Sequence, residues 1–335
     1  MKYYLNNSYA LLQADAGCGD CVLCPQKIYL DITENCNLWC TMCRNEISMC
    51  GRTMAFDLYR KVVDETCSYV RNYSLFNWGE PLLVEDFYER VLYVNAKKRM
   101  DCTVEISTNG MLLDSKMVQF LADQKVSVTI SVDGATKESY EKIRRGGNFD
   151  RVMNNTKSIV KAYQKFPDSC SPSFYISIQK DNQNQLLDIV KLAYSLGVRR
   201  VGCGLVMMPK ESSPIQGVEL CQELEQVYKF MDDHDMLCDI YPTKVGNYLL
   251  VGNCYCEQTS FITSTTCNAG NVSAVIGYSG DVYLCCNLGA YVGNVCSGSF
   301  LDLWKGEAYR YLRNRVNNPQ RMPKRCKCCA WFNRN

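Results

Sequence analysis

Histidine is nearly absent: a chain of 335 residues carries one, His234. Zinc, copper and non-haem iron sites built on two or more imidazoles are thereby excluded, as are mechanisms that need a histidine pair. An excess of charge of one sign is missing too. Lys and Arg together number 37 and Asp and Glu 35, a net of +2. That excludes a strongly electrostatic nucleic-acid binder as the default. No apolar run approaches the roughly 18 residues that a bilayer span needs, so no membrane partner is expected. The opening MKYYLNNSYALLQADAG has one lysine and an apolar stretch broken by Asn, Gln and Asp. No secretory signal is predicted from it, and a cytoplasmic setting is expected.

What is abundant is cysteine, 22 residues of it. In a short secreted chain this would indicate disulfides. Here 47% of the residues are hydrophobic, enough for a core that needs no staples. In a reducing compartment clustered cysteines more often bind metal. With imidazole unavailable, thiolate-held iron–sulfur or zinc is what remains.

Hydrophobic periodicity divides the chain into four parts. Residues 1–25 read as a cysteine-containing extension. Residues 26–206 alternate strand and helix, with strands over 27–33, 74–77, 102–107, 126–132, 173–178 and 198–206 and helical spacing between them. Such alternation predicts parallel strands with crossover helices. Six units are too few for a closed eight-stranded barrel, so the fold expected is α/β, a partial (β/α)6 TIM-like barrel with its chemistry on the loops after the strands. Residues 207–262 lose the pattern and read as a variable bridging segment. Residues 263–335 predict a β-hairpin (272–276 and 281–284), a helix near 300–315 and a cysteine-rich end, a small C-terminal domain.

The strongest motif is Cys36-Asn37-Leu38-Trp39-Cys40-Thr41-Met42-Cys43. Three closely spaced thiolates can wrap one face of an iron–sulfur cube. Four would close it as an electron-transfer centre, whereas three leave one iron to take an outside ligand. A structural zinc loop is the alternative, but it would need a fourth ligand nearby.

This C-x3-C-x2-C spacing resembles the radical S-adenosylmethionine (SAM) enzymes. The resemblance implies a [4Fe–4S] cluster on Cys36, Cys40 and Cys43 whose fourth iron is chelated by SAM. One-electron reduction then yields a 5′-deoxyadenosyl radical, which abstracts hydrogen from a substrate C–H bond. It also implies an external one-electron reductant of flavodoxin or ferredoxin type. Trp78-Gly79-Glu80-Pro81 resembles the family's GGEP motif, with Trp78 in place of the first glycine, so Gly79, Glu80 and Pro81 are expected at the SAM amino group. Ser107-Thr108-Asn109-Gly110 and Ser131-Val132-Asp133-Gly134 follow the third and fourth strands. Taken singly these are ordinary turn signals. In this order they place Ser107, Asn109 and Ser131 against SAM, and Met42 near the adenine.

A second group comprises Cys267, Cys285, Cys326 and Cys329, two distant cysteines plus a C-x2-C. Four thiolates suit a closed [4Fe–4S] cluster, and structural zinc is the competing reading. Cys286 and Cys328 compete for the same positions. The arrangement resembles the C-terminal extensions called SPASM and twitch, and the one-cluster twitch form fits better. Cys18, Cys21 and Cys24 form a further run, for which Cys254 or Cys256 is a candidate fourth ligand.

These motifs define the radical generator and leave the catalytic acid–base residues unassigned. The compact chain, with no winged-helix peptide-recognition segment in view, resembles family members that dehydrogenate or epimerise sugars and aminocyclitols. Oxidation or epimerisation of a small polar metabolite in natural-product biosynthesis is therefore expected first. Modification of a ribosomal peptide, by epimerisation or cross-linking, is the alternative. A non-catalytic iron–sulfur or zinc protein is the reading from a different class. The lone His234 is expected to be a packed residue rather than a catalyst.

Overall fold

The structure is a computed structural model, and it describes residues 24–43, 52–166, 171–206, 218–240, 243–245, 248–250, 267, 269–286, 290–318 and 320–327. In chain order the elements are β1 (Lys27–Leu30), α1 (Phe56–Thr66), β2 (Asn72–Ser74), α2 (Phe87–Lys97), β3 (Thr103–Thr108), α3 (Ser115–Asp123), β4 (Ser127–Ser131), α4 (Lys137–Ile143), α5 (Phe149–Tyr163), β5 (Ser173–Ile178), α6 (Leu186–Ser195) and β6 (Arg200–Leu205). They continue with α7 (Val218–Asp233), β7 (Leu237–Ile240), β8 (Thr243–Val245), β9 (Tyr248–Leu250), α8 (Ala269–Val272), β10 (Ser273–Ile276), β11 (Asp281–Tyr283), β12 (Tyr291–Asn294), α9 (Phe300–Lys305), α10 (Glu307–Val316) and α11 (Lys324–Lys327). No helix among the described residues is long and apolar enough to cross a membrane.

Two compact units result. One comprises Met1–Asn35, Met49–Glu105 and Thr265–Asn335. Its strand order is β12-β11-β10-β1-β2-β3. β10, β1, β2 and β3 are parallel, and β11 and β12 are antiparallel additions. Period-2 alternation sorts the side chains: Ile28, Leu30, Tyr73 and Val104 are fully buried on one face. α1 and α2 supply Tyr59, Val62, Val63, Phe87, Val91 and Val94 to the core at the helical spacing.

The other unit comprises Cys36–Ser48 and Ile106–Ser264, with strand order β3-β4-β5-β6-β7 and the pairs from β4 to β7 parallel. Its helices begin where the sequence signals a cap. Asp114 accepts from the Met117 N–H ahead of α3, Thr136 and Ser139 form a capping box on α4, and Asn148 accepts from the Arg151 N–H ahead of α5. The consecutive run β1-β2-β3-β4-β5-β6, with helices between its strands, is the partial barrel that the alternation predicts.

Three features differ from the sequence reading. The second strand lies at Asn72–Ser74 rather than 74–77, because Asn72, Tyr73 and Ser74 are the residues in register with Lys27–Tyr29 and with Thr103–Glu105. β7 arises in the segment read as patternless; four residues gain strand geometry from pairing with β6. The C-terminal hairpin is present, and its first strand also pairs in parallel with β1.

Candidate functional site

The three-cysteine loop follows β1. Cys40 is buried, and Cys36 and Cys43 are half-buried. Burial pushes the Cys40 thiol up to about 12, and the Arg144 guanidinium opposes that shift. The loop is clasped by the segment after α4: Trp39 N–H donates to the Arg145 carbonyl and Thr41 N–H to the Ile143 carbonyl, both at 2.9 Å. Trp39 lies against Gly146, which adopts φ +85°; a Cβ there would stand 3.3 Å from the indole. Within the loop, Cys43 N–H donates to the Cys40 carbonyl.

Asn109 at the end of β3 donates through Nδ2 to Asn37 Oδ1 at 2.7 Å, while its own Oδ1 accepts from Met111 N–H. It therefore braces the cysteine loop. Ser107 and Ser131, on neighbouring strand ends, stand with their hydroxyl oxygens 3.4 Å apart. Met42 is half-buried. These predicted residues all belong to the same unit as the cysteines.

The Gly-Glu-Pro segment belongs to the other unit. Glu80 N–H donates to the Asn35 carbonyl at 2.7 Å, and Asn35 immediately precedes Cys36 in the chain. Trp78 N–H donates to Asp31. A Cβ on Gly79 would overlap the Thr33 carbonyl oxygen and stand 2.8 Å from that of Asn35. Glycine is required there by close backbone approach. Glu80 is buried, and its carboxylate accepts the Leu82 N–H at the start of the single turn Pro81–Leu83.

Sequence reasoning missed Arg144. Its side chain is buried and its Nη2 lies 2.7 Å from Asp133, which is fully buried just after β4. Burial pushes the Asp133 carboxyl up, and Arg144 with the Ser177 N–H pulls it back. Burial also opposes the charge on Arg144, but Asp133 and then Cys40 outweigh it and hold the guanidinium cationic. Gly146-Gly147 immediately beyond, where the chain must turn tightly, is the one local signal of this corner.

Also missed was a charged group on the strand face opposite Ile28 and Leu30. Lys27 Nζ lies 2.5 Å from Glu105, which also accepts from Ser74 and Asn72. The ammonium stands 4.6 Å from the Tyr29 ring centroid, and burial carries the Tyr29 phenol up to about 12 against the pull of Lys27.

Of the second cysteine group, Cys267 is held through its backbone: its N–H donates to Asn317 Oδ1 at 2.8 Å and its carbonyl accepts from Asn317 Nδ2 at 3.0 Å. Cys285 and Cys286 follow β11, and Cys326 is buried on α11. Nearby, the buried Arg313 stacks on Trp304 and Tyr309 at 4.4 and 4.7 Å and donates to the Gly270 carbonyl. Cys24 is half-buried. Cys18, Cys21, Cys254, Cys256, Cys328 and Cys329 lie outside the described residues. Among the described residues no three His, Cys, Asp or Glu side chains surround a single ion. A four-iron cube is a larger body and needs its thiolates set further apart. His234 packs as expected, stacked on Phe230 at 4.0 Å with its Nδ1 2.8 Å from the Phe230 carbonyl oxygen.

Loop thiolates after the first parallel strand, a glycine cradle and paired strand-end hydroxyls are parts that fit a radical SAM enzyme. Residues 30–171 match the family model described as the radical SAM superfamily, and residues 267–330 match the SPASM iron–sulfur cluster-binding domain. The chain carries a radical SAM domain followed by a C-terminal SPASM iron–sulfur domain. These domains imply a SAM-binding [4Fe–4S] cluster, SAM itself and an auxiliary iron–sulfur cluster. Among similar proteins, the mycofactocin maturase MftC of Mycobacterium tuberculosis is 28% identical over 305 residues, 86% of this chain and 73% of that one. The AdoMet-dependent heme synthase of Methanosarcina barkeri is 23% identical over 92% of this chain and 89% of its own. The crystal structure of Streptococcus suis SuiB bound to precursor peptide SuiA superposes with a TM-score of 0.69 at 16% identity, covering 98% of this chain and 76% of SuiB.

Proposed function

We propose that Cys36, Cys40 and Cys43 hold the SAM-binding cluster, that Gly79, Glu80, Pro81, Ser107, Asn109, Ser131 and Met42 surround the nucleotide, and that the enzyme abstracts hydrogen from a C–H carbon of a peptide. When bound, cluster and SAM supply a one-electron route to a carbon-centred radical that side chains cannot provide. An external flavodoxin- or ferredoxin-type reductant delivers the electron. The chain's own residues position and shield. Asn109, Arg145 and Ile143 fix the cysteine loop, and Thr33 and Asn35 fix Gly79 and Glu80 through their carbonyls.

The observation that carries the substrate half is the Lys27–Glu105 face. Inner positions of such barrels are ordinarily filled by branched aliphatic side chains. Here Lys27, Tyr29, Asn72, Ser74 and Glu105 share one face, and Lys27 and Glu105 keep 28% and 25% of their side-chain surface exposed. Glu105 is already served by three donors. The Lys27 ammonium carries three N–H donors and is suited to a peptide carbonyl. The relation to a maturase and the fold shared with a peptide-bound enzyme support the same reading. Lys27→Met is expected to raise KM for the peptide about tenfold, one charge-assisted hydrogen bond being worth ~1.5–3 kcal/mol. An unchanged KM would remove Lys27 from the substrate site.

A small hydroxylated metabolite is the second reading, favoured by the polar side chains of the same strand face and by relatives such as the heme synthase. Deuterium transfer into 5′-deoxyadenosine decides between them. A peptide encoded beside the gene, labelled at its reacting carbon, is expected to transfer; transfer from a labelled sugar or aminocyclitol alone would reverse the order.

For the auxiliary cluster we assign Cys267, Cys285, Cys326 and Cys329, with Cys18, Cys21, Cys24, Cys254 and Cys256 as candidates for a further one. Asn317→Ala removes both hydrogen bonds that fix Cys267. It is expected to cost up to about four irons per chain after reconstitution and desalting. Full iron retention would show that Asn317 does not support a ligand.

A further inference from the structure

We infer that Arg144 is a positioning residue for the radical-generating cluster: held opposite Cys40 by the bonds its two neighbours accept, it sets, together with Asp133, the charge that the cluster's reduced state meets. The inference rests on the assignment of Cys36, Cys40 and Cys43 as cluster ligands.

The geometry is a closed ring of contacts whose polar side is buried. Trp39 and Thr41, on either side of Cys40, donate their N–H groups to the carbonyls of Arg145 and Ile143, on either side of Arg144. Cys40 and Arg144 therefore lie opposite one another across a two-bond clasp. From there the guanidinium reaches Asp133 at 2.7 Å. Asp133 accepts the Ser177 N–H at 2.7 Å, and its carbonyl accepts from Asn182 Nδ2. Asn182 also accepts the Gln179 N–H at 2.8 Å, and Gln179 Oε1 accepts from the Thr41 hydroxyl at 3.3 Å. The path returns to the residue after Cys40. Asp133, Gln179 and Asn182 are fully buried, and Arg144 nearly so.

Such a ring is more than is needed to hold a turn. Burying an ion pair is rarely a net gain over apolar packing, so its retention beside Cys40 calls for a charge-based reason. A cluster gains negative charge on reduction. A buried cation opposite one of its ligands stabilises the reduced state, and a buried carboxylate opposes it, with little solvent between them to screen either. The two partners of one ion pair should therefore move the reduction potential in opposite directions.

The test is a redox titration of the anaerobically reconstituted holoenzyme, read by the electron paramagnetic resonance (EPR) signal of the reduced cluster. Iron and sulfide are quantified alongside. Arg144→Met is expected to make reduction at least tenfold less favourable, a shift of 59 mV or more to negative potential for one electron. Asp133→Asn is expected to shift it positive. Arg144→Lys keeps the cation and is expected to stay nearer to wild type than Arg144→Met. If Arg144→Met fails to retain iron, Arg144→Lys and Asp133→Asn decide alone. Shifts of the same sign in Asp133→Asn and the Arg144 variants overturn the inference. So do wild-type potentials throughout, or iron loss in all three variants, which leaves the ring a structural brace. Failure of the ligand assignment looks different: wild-type protein itself would then show no change of the reduced signal on adding SAM.

Discussion

Cys40→Ala is expected to abolish SAM cleavage and to remove about four irons and four sulfides per chain. Cys36→Ala and Cys43→Ala should do the same, since two thiolates cannot retain a cube that already depends on three. The Cys40 case is the most informative because the residue is buried and opposed by Arg144. Removing its sulfur leaves a cavity in the loop, while Arg144 keeps its ion pair with Asp133. The auxiliary cluster should survive, and iron should fall to the content of that cluster alone. Assaying 5′-deoxyadenosine by chromatography under dithionite, with iron on the same samples, separates the outcomes. Residual SAM cleavage at more than a few per cent of wild type would mean that Cys40 is not a ligand.

Gly79→Val is the second large effect. The position faces two backbone carbonyl oxygens, of Thr33 and Asn35, rather than the ends of flexible side chains. Backbone cannot step aside cheaply; overpacking of this kind costs typically 1–3 kcal/mol even where side chains yield. The strain falls on Asn35, which accepts the Glu80 N–H and is bonded directly to Cys36. SAM affinity is expected to drop by tenfold or more, measured by equilibrium dialysis, while iron content stays near wild type. Gly79→Ala should lie between. Wild-type SAM binding in Gly79→Val would remove the glycine cradle from the nucleotide site.

These two sites were legible in the sequence because their logic is local. Three thiolates on one loop, and a Gly-Glu-Pro turn after a strand, announce themselves within a few residues. The barrel elements were legible for a similar reason: period-2 and period-3.6 patterns over 26–206 record which face of each element is buried. What was hidden depends on partners far along the chain. Arg144 next to Arg145 looks like a solvated pair until Asp133 and the cysteine loop close over it. Lys27 looks like the polar start of a strand until Glu105, 78 residues on, meets it on the same face two strands away. β7 has no pattern of its own and exists because β6 offers an edge. Asn317 resembles any polar residue after a helix until it meets Cys267, 50 residues earlier.

The proposed cluster on Cys36, Cys40 and Cys43 offers one iron to SAM. SAM carrying nitrogen-15 in its amino group, added to the reduced holoenzyme, tests this by pulsed EPR. A hyperfine coupling from that nitrogen to the cluster, lost in the Cys36→Ala/Cys40→Ala/Cys43→Ala variant, is the result expected. A wild-type spectrum indifferent to labelled SAM, or a coupling that persists in the variant, would contradict it.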